Sequence, residues 1–383
     1  MIDKKILAIS FYGSTKHQLI PYKSIDYVDV IAFETNIYNA GVPGSIEDFE
    51  KLNIEYTKYY AVITWGDSLF PVVEYFFKKC IENNITIYGN QHGVNKSIVQ
   101  ILFSSPNKYC KYWNAEGEWM LKRFKSVLKS NPIERRWISI GSTYHEYLFN
   151  NFSWNKENSN NRILLIHEPN LKSAEGDKFP HDSEMIINEV IKIGYKHGYE
   201  IDLKVHPNWK GKYGNNGESI TIFNCNYVDL QFTDVIKYSL VIGSRSSLLY
   251  ESYLTGIPVF AVESHSEWID DCISFLDLKL VDIFSICEIE EGIKKRFNNP
   301  KSKSLDIIEF LSGSLIKGVL DKYIKFIKHD NLHKDQRLGK RLYNKYLSLI
   351  NKTDNNRFKK LVIMKIIKEY PKLFKIINYL TKI

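Results

Sequence analysis

Short apolar segments of β-strand composition alternate with helical segments along most of this chain, which constrains its fold more than any other feature. In the first half, strands are predicted at residues 5–11, 27–33, 59–64, 85–88 and 137–140, with helices such as 69–83 and 116–129 between them. Strands separated by helices favour a parallel sheet covered on both faces. The first half therefore predicts a doubly wound α/β domain.

A polar, Asn-rich segment then interrupts the pattern, which afterwards starts again. Strands are predicted at residues 162–167, 201–205, 219–223, 240–243 and 258–262, and helices at 183–197, 247–255 and 286–298. A chain of 383 residues has room for two domains of about 100–200 residues each. We predict an N-terminal Rossmann-like domain over 1–150, a linker over 151–161, a C-terminal Rossmann-like domain over 162–325 and a helical tail over 326–383. Two such domains facing each other leave a cleft at the carboxyl ends of their strands.

The positive charge is confined to the end of the chain. The net charge is +8, but residues 331–383 contain 14 Lys and Arg against three Asp and Glu, so residues 1–330 carry −3. A groove that wraps nucleic acid should not have its basic residues at one terminus, so the distribution argues against a nucleic-acid partner. Residues 357–383 alternate basic and apolar side chains around Pro371, as in basic helices that lie on anionic membranes. The alternative is a helix that packs across the two domains with its Lys residues in solvent.

The five cysteines are widely spaced and form no CxxC pair, which is typical of a reducing compartment. No signal peptide and no run of about 18 apolar residues is evident. We therefore expect a cytoplasmic protein that contacts the inner face of the plasma membrane peripherally. The sequence has no DxD cluster, Walker A motif or GxGxxG motif, which argues against a metal, ATP or NAD. We expect no metal and no cofactor apart from the substrates.

The strongest local signal is a strand that ends in a small-residue turn and leads directly into a helix. After the strand at 240–243, the turn consists of Ser244, Arg245, Ser246 and Ser247. The start of a helix binds phosphate through its backbone N–H groups, and Arg245 adds a cation. Glu251 lies one turn into the helix, where a carboxylate accepts hydrogen bonds from a ribose. The alternative is that a serine only caps the helix and Glu251 is exposed.

Two histidines follow predicted strands, one in each half of the chain. His206, which precedes Pro207, is a candidate to bind a phosphate or to donate a proton to a leaving group. His92, between two glycines, is a candidate general base for an acceptor hydroxyl. A structural role in a turn is the alternative for each histidine.

Three further segments contain candidate polar groups. Glu116 and Glu118 lie before a predicted helix, where capping is the first interpretation and an acidic group in the cleft is the second. We keep Glu118 as a catalytic candidate beside His92 and His206. Residues 141–143 follow a strand and form either a sugar or anion contact or a turn with a helix cap. The loop after the strand at 162–167 either touches a substrate or is a surface loop.

These motifs, in this order, resemble the glycosyltransferases of GT-B fold. The matching elements are Gln91-His92-Gly93, His206-Pro207, and Ser246-Ser247 followed by Glu251 and residues 256–259. They are most similar to bacterial enzymes that build capsule, lipopolysaccharide or teichoic-acid polymers. In the sialyltransferase and Kdo-transferase groups, a His-Pro and a Ser-Ser element hold the CMP part of the donor. In the glycerophosphotransferases of teichoic-acid synthesis, a His-Gly and a His-Pro motif are functional, and His92 and His206 occupy those positions here.

The resemblance implies an α/β fold of two Rossmann-like domains facing a cleft, with a basic helical tail. It implies a metal-independent glycosyltransferase that uses a nucleotide-sugar donor, with CMP-linked sialic acid or Kdo favoured and a UDP-sugar as the other option. The nucleotide is expected to contact His206, Pro207 and residues 244–247 with Glu251. The expected acceptor is a bacterial surface glycan or a lipid-linked oligosaccharide. The alternatives are CDP-glycerol-type glycerophosphate transfer, nucleotide-sugar epimerisation as in enzymes with a His-Pro-Asn like residues 206–208, and a non-catalytic membrane-associated scaffold.

Overall fold

The protein is described from a computed structural model, which covers most of the two predicted domains. The described residues are 4–35, 45–65, 71–91, 95–97, 109–127, 137–166, 182–205, 219–220, 225–227, 232–244, 246–263, 272–298, 304–313 and 315–332. The basic residues from 333 onward lie outside this set. Within the described part of the chain, no helix is both long and apolar enough to cross a membrane.

The N-terminal half forms a parallel sheet. Its strands are β1 (Lys5–Tyr12), β2 (Val28–Thr35), β3 (Tyr59–Thr64), β4 (Thr86–Asn90), β5 (Asn95–Ser97), β6 (Tyr112–Asn114) and β7 (Trp137–Ile138). Six of them form one sheet in the order β2-β1-β3-β4-β6-β7, and every pair in it is parallel. Its helices are α1 (Ile46–Glu50), α2 (Pro71–Glu82), α3 (Glu118–Val127) and α4 (Thr143–Asn151), and a 3-10 segment follows β1 at Gly13–Ser24.

The C-terminal half forms a second sheet. Its strands are β8 (Arg162–Ile166), β9 (Glu200–Lys204), β10 (Ser219–Ile220), β11 (Cys225–Tyr227), β12 (Leu240–Gly243), β13 (Val259–Val262), β14 (Cys272–Ser274) and β15 (Asp282–Phe284). Seven of them are ordered β10-β11-β9-β8-β12-β13-β15, and only the β10–β11 pair is antiparallel. Its helices are α5 (Asp182–Lys196), α6 (Phe232–Val235), α7 (Ser247–Thr255), α8 (Ile289–Asn298) and α9 (Leu305–Ser312).

Both faces of each sheet are covered by apolar side chains, as expected for doubly wound parallel sheets. One face of the N-terminal sheet is packed by α2, whose buried residues recur with helical spacing: Val72, Val73, Phe76, Phe77 and Cys80. The two faces of the C-terminal sheet form two separate apolar clusters. The chain therefore has an α/β fold of two Rossmann-like domains, as predicted.

The last described helix, α10 (Val319–Leu332), returns to the first domain. Its Val319, Tyr323, Ile324 and Ile327 are buried against β1, β3 and β4, on the face opposite α2. Lys111 pairs with Asp330 at 2.6 Å, and Tyr88 also donates to that carboxylate. The end of the described chain is therefore part of the N-terminal core.

A short antiparallel ribbon also joins the two halves. β5 comes from the first half and pairs with β14 from the second, with Lys96 opposite Ile273. The segment after α4 contacts the second domain as well, since Trp154 donates its backbone N–H to Thr255 O at 2.9 Å and its indole N–H to Tyr238 O at 2.9 Å. The two domains are thus in contact through several elements.

Candidate functional site

A polar pocket lies at the carboxyl edge of the N-terminal sheet. Each strand order reverses at one place, between β1 and β3 in the first domain and between β8 and β12 in the second, and ligands bind near such reversals. The pocket is lined by residues that follow five strands: Gln18, Trp65, Asn90, Gln91, Asn114, Glu116, Gly141, Ser142 and Thr143. All of them except Trp65 and Gly141 are buried polar side chains.

Asn114 holds three of these segments together. Its side-chain N–H₂ donates to Asn90 Oδ1 at 3.1 Å and to Gly141 O at 2.8 Å, and its Oδ1 accepts from Ile140 N at 2.9 Å. The backbone of Gln91 is also bonded to Asn114 O at 2.9 Å. Because one amide satisfies groups from neighbouring strands, the floor of the pocket is rigid.

A buried ion pair joins the pocket to α4. Glu116 Oε2 lies 3.0 Å from His145 Nδ1, and each side chain is 3% exposed. Burial opposes the charge on His145, but Glu116 and Glu251 outweigh it and raise the pKa of the imidazole. Glu116 Oε1 has no hydrogen-bond partner among the described residues. A buried carboxylate oxygen without a partner is costly, and Glu116 lines the polar pocket, so a ligand bound there could supply the missing hydrogen bond.

A second histidine, half-buried His17, packs against α4. The ring of His17 packs against that of Tyr144, with 4.5 Å between the ring centres, and its Nε2 is 3.0 Å from Gln18 Nε2. Burial, assisted by repulsion from His145, lowers the pKa of His17 to about 4. His17 is therefore neutral at physiological pH.

In the second domain, the serine turn has the predicted form. Ser246 is the N-cap of α7 and accepts from Leu248 N at 3.3 Å, while Ser244 donates to Val262 O at 3.3 Å. Helix α7 ends at Gly256, which has a φ of 88°. The positive end of the helix dipole thus lies at the carboxyl edge of β12.

Glu251 is buried on α7, one turn into the helix. Burial raises the pKa of Glu251 to about 7; His145 acts in the opposite direction, and Glu116 adds to the increase. The alternative in which Glu251 is exposed is therefore wrong. A carboxylate with this pKa changes charge near neutral pH, which is a property of functional groups.

Contacts between α4 and α7 bring together the polar pocket of the first domain and the serine turn with Glu251 of the second domain. We call these two regions the half-sites. The rings of His145 and Tyr250 are 5.1 Å apart, and the angle between their planes is 74°. Glu116, His145 and Glu251 consequently interact across the domain boundary. We call these three residues the interdomain triad.

The other candidate residues predicted from the sequence fall into two groups: some lie outside the described residues, and the rest lie at the starts of α3 and α7. Of the candidates, His92, His206, Pro207 and Arg245 lie outside the described residues, as does the loop after β8. Ser247 is the first residue of α7 and is half-buried. Glu118 is half-buried at the start of α3, where a Cβ added to Gly313 would lie 2.6 Å from the Glu118 Cβ. It does not line the polar pocket.

Sequence reasoning missed most of the first half-site. His17, Gln18, Asn114 and His145 were not singled out, and Glu116 was interpreted first as a helix cap. A usable signal was that Asn114 ends the short strand β6 and Glu116 comes two residues later, but the sequence analysis did not predict this strand. Ser142 does cap α4, accepting from His145 N at 3.3 Å. In the part of the chain that the structure describes, no group of three or more His, Cys, Asp or Glu residues is arranged to hold a metal ion.

Comparisons with known proteins show similarity in structure and not in sequence. No protein-family model and no curated protein sequence matches this chain. A UDP-GlcNAc 2-epimerase from Methanocaldococcus jannaschii, in complex with UDP-GlcNAc and UDP, aligns with a TM-score of 0.53 and 12% identity over 85% of this chain and 99% of that chain. A UDP-GlcNAc 2-epimerase from Neisseria meningitidis, bound to UDP-GlcNAc, aligns with a TM-score of 0.51 and 12% identity over 85% of this chain and 100% of that chain. The chain is therefore a protein of GT-B fold, with two Rossmann-like domains that meet at a cleft.

Proposed function

We propose that this protein is a glycosyltransferase that moves a sugar from a nucleotide-sugar donor to a glycan acceptor. The observation that carries the proposal is the pairing of two different half-sites at the domain boundary. One is a polar pocket with a buried carboxylate oxygen that lacks a partner, on Glu116. The other is a serine-capped helix N-terminus with a buried carboxylate one turn further on, at Ser246 and Glu251.

The second domain supplies the nucleotide half-site in this proposal. The N-terminus of α7 stabilises the negative charge of the donor phosphate, both in the ground state and as it leaves. Glu251 accepts hydrogen bonds from the ribose hydroxyls, which are strongest when its carboxyl group is ionised and both oxygens accept. His206, Pro207 and Arg245 are proposed from the sequence as further contacts.

The first domain supplies the acceptor half-site and the proton acceptor. A hydroxyl oxygen of the acceptor attacks the anomeric carbon of the donor sugar, and the bond from that carbon to the phosphate oxygen breaks. The bonding electrons leave with the nucleotide phosphate, and the hydroxyl proton passes to Glu116. Glu116 is the base that the described geometry favours. His92 is the base preferred from the sequence, and Glu118 remains a weaker candidate.

The donor and the cellular setting are proposed from the sequence resemblance. It favours a CMP-linked sialic acid or Kdo, whereas the two aligned epimerase structures contain UDP-GlcNAc. We propose a surface glycan or a lipid-linked oligosaccharide as the acceptor, reached by peripheral contact of the basic tail with an anionic membrane. No metal ion is proposed for the reaction.

A second candidate is a nucleotide-sugar epimerase. It is favoured by the alignment with two UDP-GlcNAc 2-epimerases over their whole length. Epimerisation also needs a proton acceptor beside the sugar, which Glu116 provides equally well. One assay without acceptor distinguishes the two activities. An epimerase converts UDP-GlcNAc to a second sugar nucleotide, which gives a new anomeric signal in the NMR spectrum. A transferase gives no such signal.

Variants in the two half-sites test the proposal. Ser246→Ala and Glu251→Gln should weaken binding of CMP or UDP at least tenfold in calorimetry. Glu116→Gln should leave that binding within about twofold and lower kcat about 100-fold, the usual range for loss of a general base. Ser45→Ala, which removes the N-cap of α1 on the other side of the first domain, is the matched control and should change neither. A wild-type protein that binds no nucleotide would favour the scaffold alternative.

A further inference from the structure

The interdomain triad places one imidazole between two carboxylates that belong to different half-sites. Glu116 follows β6 in the first domain, His145 is on α4, and Glu251 is on α7 in the second domain. All three side chains are buried. His145 contacts Glu116 directly and packs edge-on against the ring of Tyr250, the residue before Glu251.

Among the described residues, the other titratable groups near His145 are neutral or engaged elsewhere. His17, on the 3-10 segment, is kept neutral by burial. The pKa values of Tyr144 on α4 and Tyr250 on α7 are raised by burial, so both phenols stay protonated. Glu146 is engaged elsewhere, since it accepts from Leu320 N at 2.8 Å. Lys204 also favours the ionised form of Glu251, but its effect is smaller than that of His145.

We propose that His145 is a positioning residue that couples the two half-sites. Its ring holds the carboxylate of Glu116, which lines the pocket, and a positive charge on the same ring favours the ionised form of Glu251 that receives the nucleotide. The inference rests on the proposed function, because it assigns the ribose of the nucleotide to Glu251. In this proposal, His145 contacts neither substrate. It influences the charge of Glu116 and Glu251, which do contact the substrates.

This arrangement makes nucleotide affinity depend on pH in a defined direction. The ionised carboxylate of Glu251 accepts hydrogen bonds from both ribose hydroxyls more strongly than the protonated acid does, and burial holds its pKa near 7. Affinity should therefore rise between pH 6 and pH 8 and then level off, and binding should release protons near pH 7. Without the positive charge of His145, the pKa of Glu251 moves higher, and the same rise in affinity occurs at higher pH.

The test compares His145→Gln with wild type by calorimetry with UDP and CMP between pH 6 and pH 9. If the pKa of Glu251 rises by about one unit, the variant should bind about fivefold more weakly at pH 7 and within about twofold of wild type at pH 9. His197→Gln is the matched control, because His197 is paired with Glu290 on the surface of the second domain. It should follow the wild-type profile. A loss of affinity that is equal at every pH would assign His145 a packing role only and overturn the proposal.

A second measurement uses the unmodified protein, in case His145→Gln does not fold. Nitrogen-15 NMR of labelled histidine should show the ring of His145 titrating at a higher pH than a free imidazole, and His17 as a neutral imidazole at pH 6. A neutral His145 at pH 6.5 would overturn the coupling role. The proposed function and the role of His145 can be rejected independently. A wild-type protein that binds neither UDP nor CMP would contradict the proposed function, whereas the NMR experiment would still determine the charge of His145.

Discussion

Gly141 positions the start of α4 because its backbone adopts a conformation that side chains disfavour. It lies between β7 and α4 with a φ of 114°, and a Cβ there would approach Leu315 O to 2.6 Å. Its carbonyl accepts from Asn114, and the next residue caps α4. One residue thus connects the pocket floor, the helix that carries His145 and the segment before α10.

The buried carboxyl of Glu251 should make stability depend on pH. Burial raises its pKa from 4.5 to about 7, so the stabilisation is present below pH 4.5 and is lost as pH rises through 7. Compared with Glu251→Gln, the wild type should lose about 3 kcal/mol between pH 4.5 and pH 8. Urea denaturation of both proteins across this range measures the difference. Parallel pH profiles would show that Glu251 is solvated in solution.

At the scale of residues, the local structure around Ser246 and Glu251 could be predicted from the sequence, and the arrangement around Glu116 and His145 could not. Ser246 and Glu251 were predictable because strand, turn and helix follow each other within a short segment. Glu116 and His145 are far apart in sequence, and they meet only because β6 and β7 are neighbours in the sheet. No local pattern contains that information.

Among the elements, α10 depends on a residue from another helix. Glu146 on α4 accepts hydrogen bonds from the backbone N–H groups of Gly318 and Leu320, at the first turn of α10. A carboxylate there satisfies N–H groups that have no partner within the helix, and it interacts favourably with the helix dipole. The start of α10 is therefore attached to α4.

Replacing Glu146 with Ala should destabilise the protein by about 1–2 kcal/mol, the usual cost of losing a helix N-cap. Chemical denaturation followed by circular dichroism measures the loss. Glu291→Ala is the control, since Glu291 is exposed on the first turn of α8, and its effect should be less than half as large. Equal losses in the two variants would mean that the contact with α10 contributes nothing specific.

Elements of clear periodicity were predicted with nearly the observed ends, and short ones were not. Helix α7 was predicted over its observed residues, and β3 and β12 likewise. The three-residue strands β6, β11 and β15 were missed because pairing with longer neighbours, and not their own composition, holds them in the sheet.

For the whole molecule, the return of α10 to the first domain makes the two ends of the described chain parts of one core. Ile327 is fully buried against the N-terminal sheet although it follows the entire second domain. Domain boundaries assigned in order along the sequence do not predict this contact. It depends on where the chain leaves the second domain in three dimensions.

Ile327→Ala should therefore destabilise the first domain by about 2–5 kcal/mol, the range for removing a large buried aliphatic side chain. Tryptophan fluorescence should follow this unfolding, because Trp65 is buried in the same apolar cluster. Lys325→Ala, exposed on the same helix, should leave the transition in place. A normal transition for Ile327→Ala would show that α10 is detached from the sheet in solution.

The ribbon of β5 and β14 has a consequence for access to the cleft. Its hydrogen bonds join main-chain groups of a strand from the first half to main-chain groups of a strand from the second half. Main-chain hydrogen bonds form with many different side chains. The pairing of β5 with β14 therefore cannot be recognised from a sequence motif. A movement that separates β5 from β14 has to break main-chain hydrogen bonds, which adds to the energetic cost of opening the cleft.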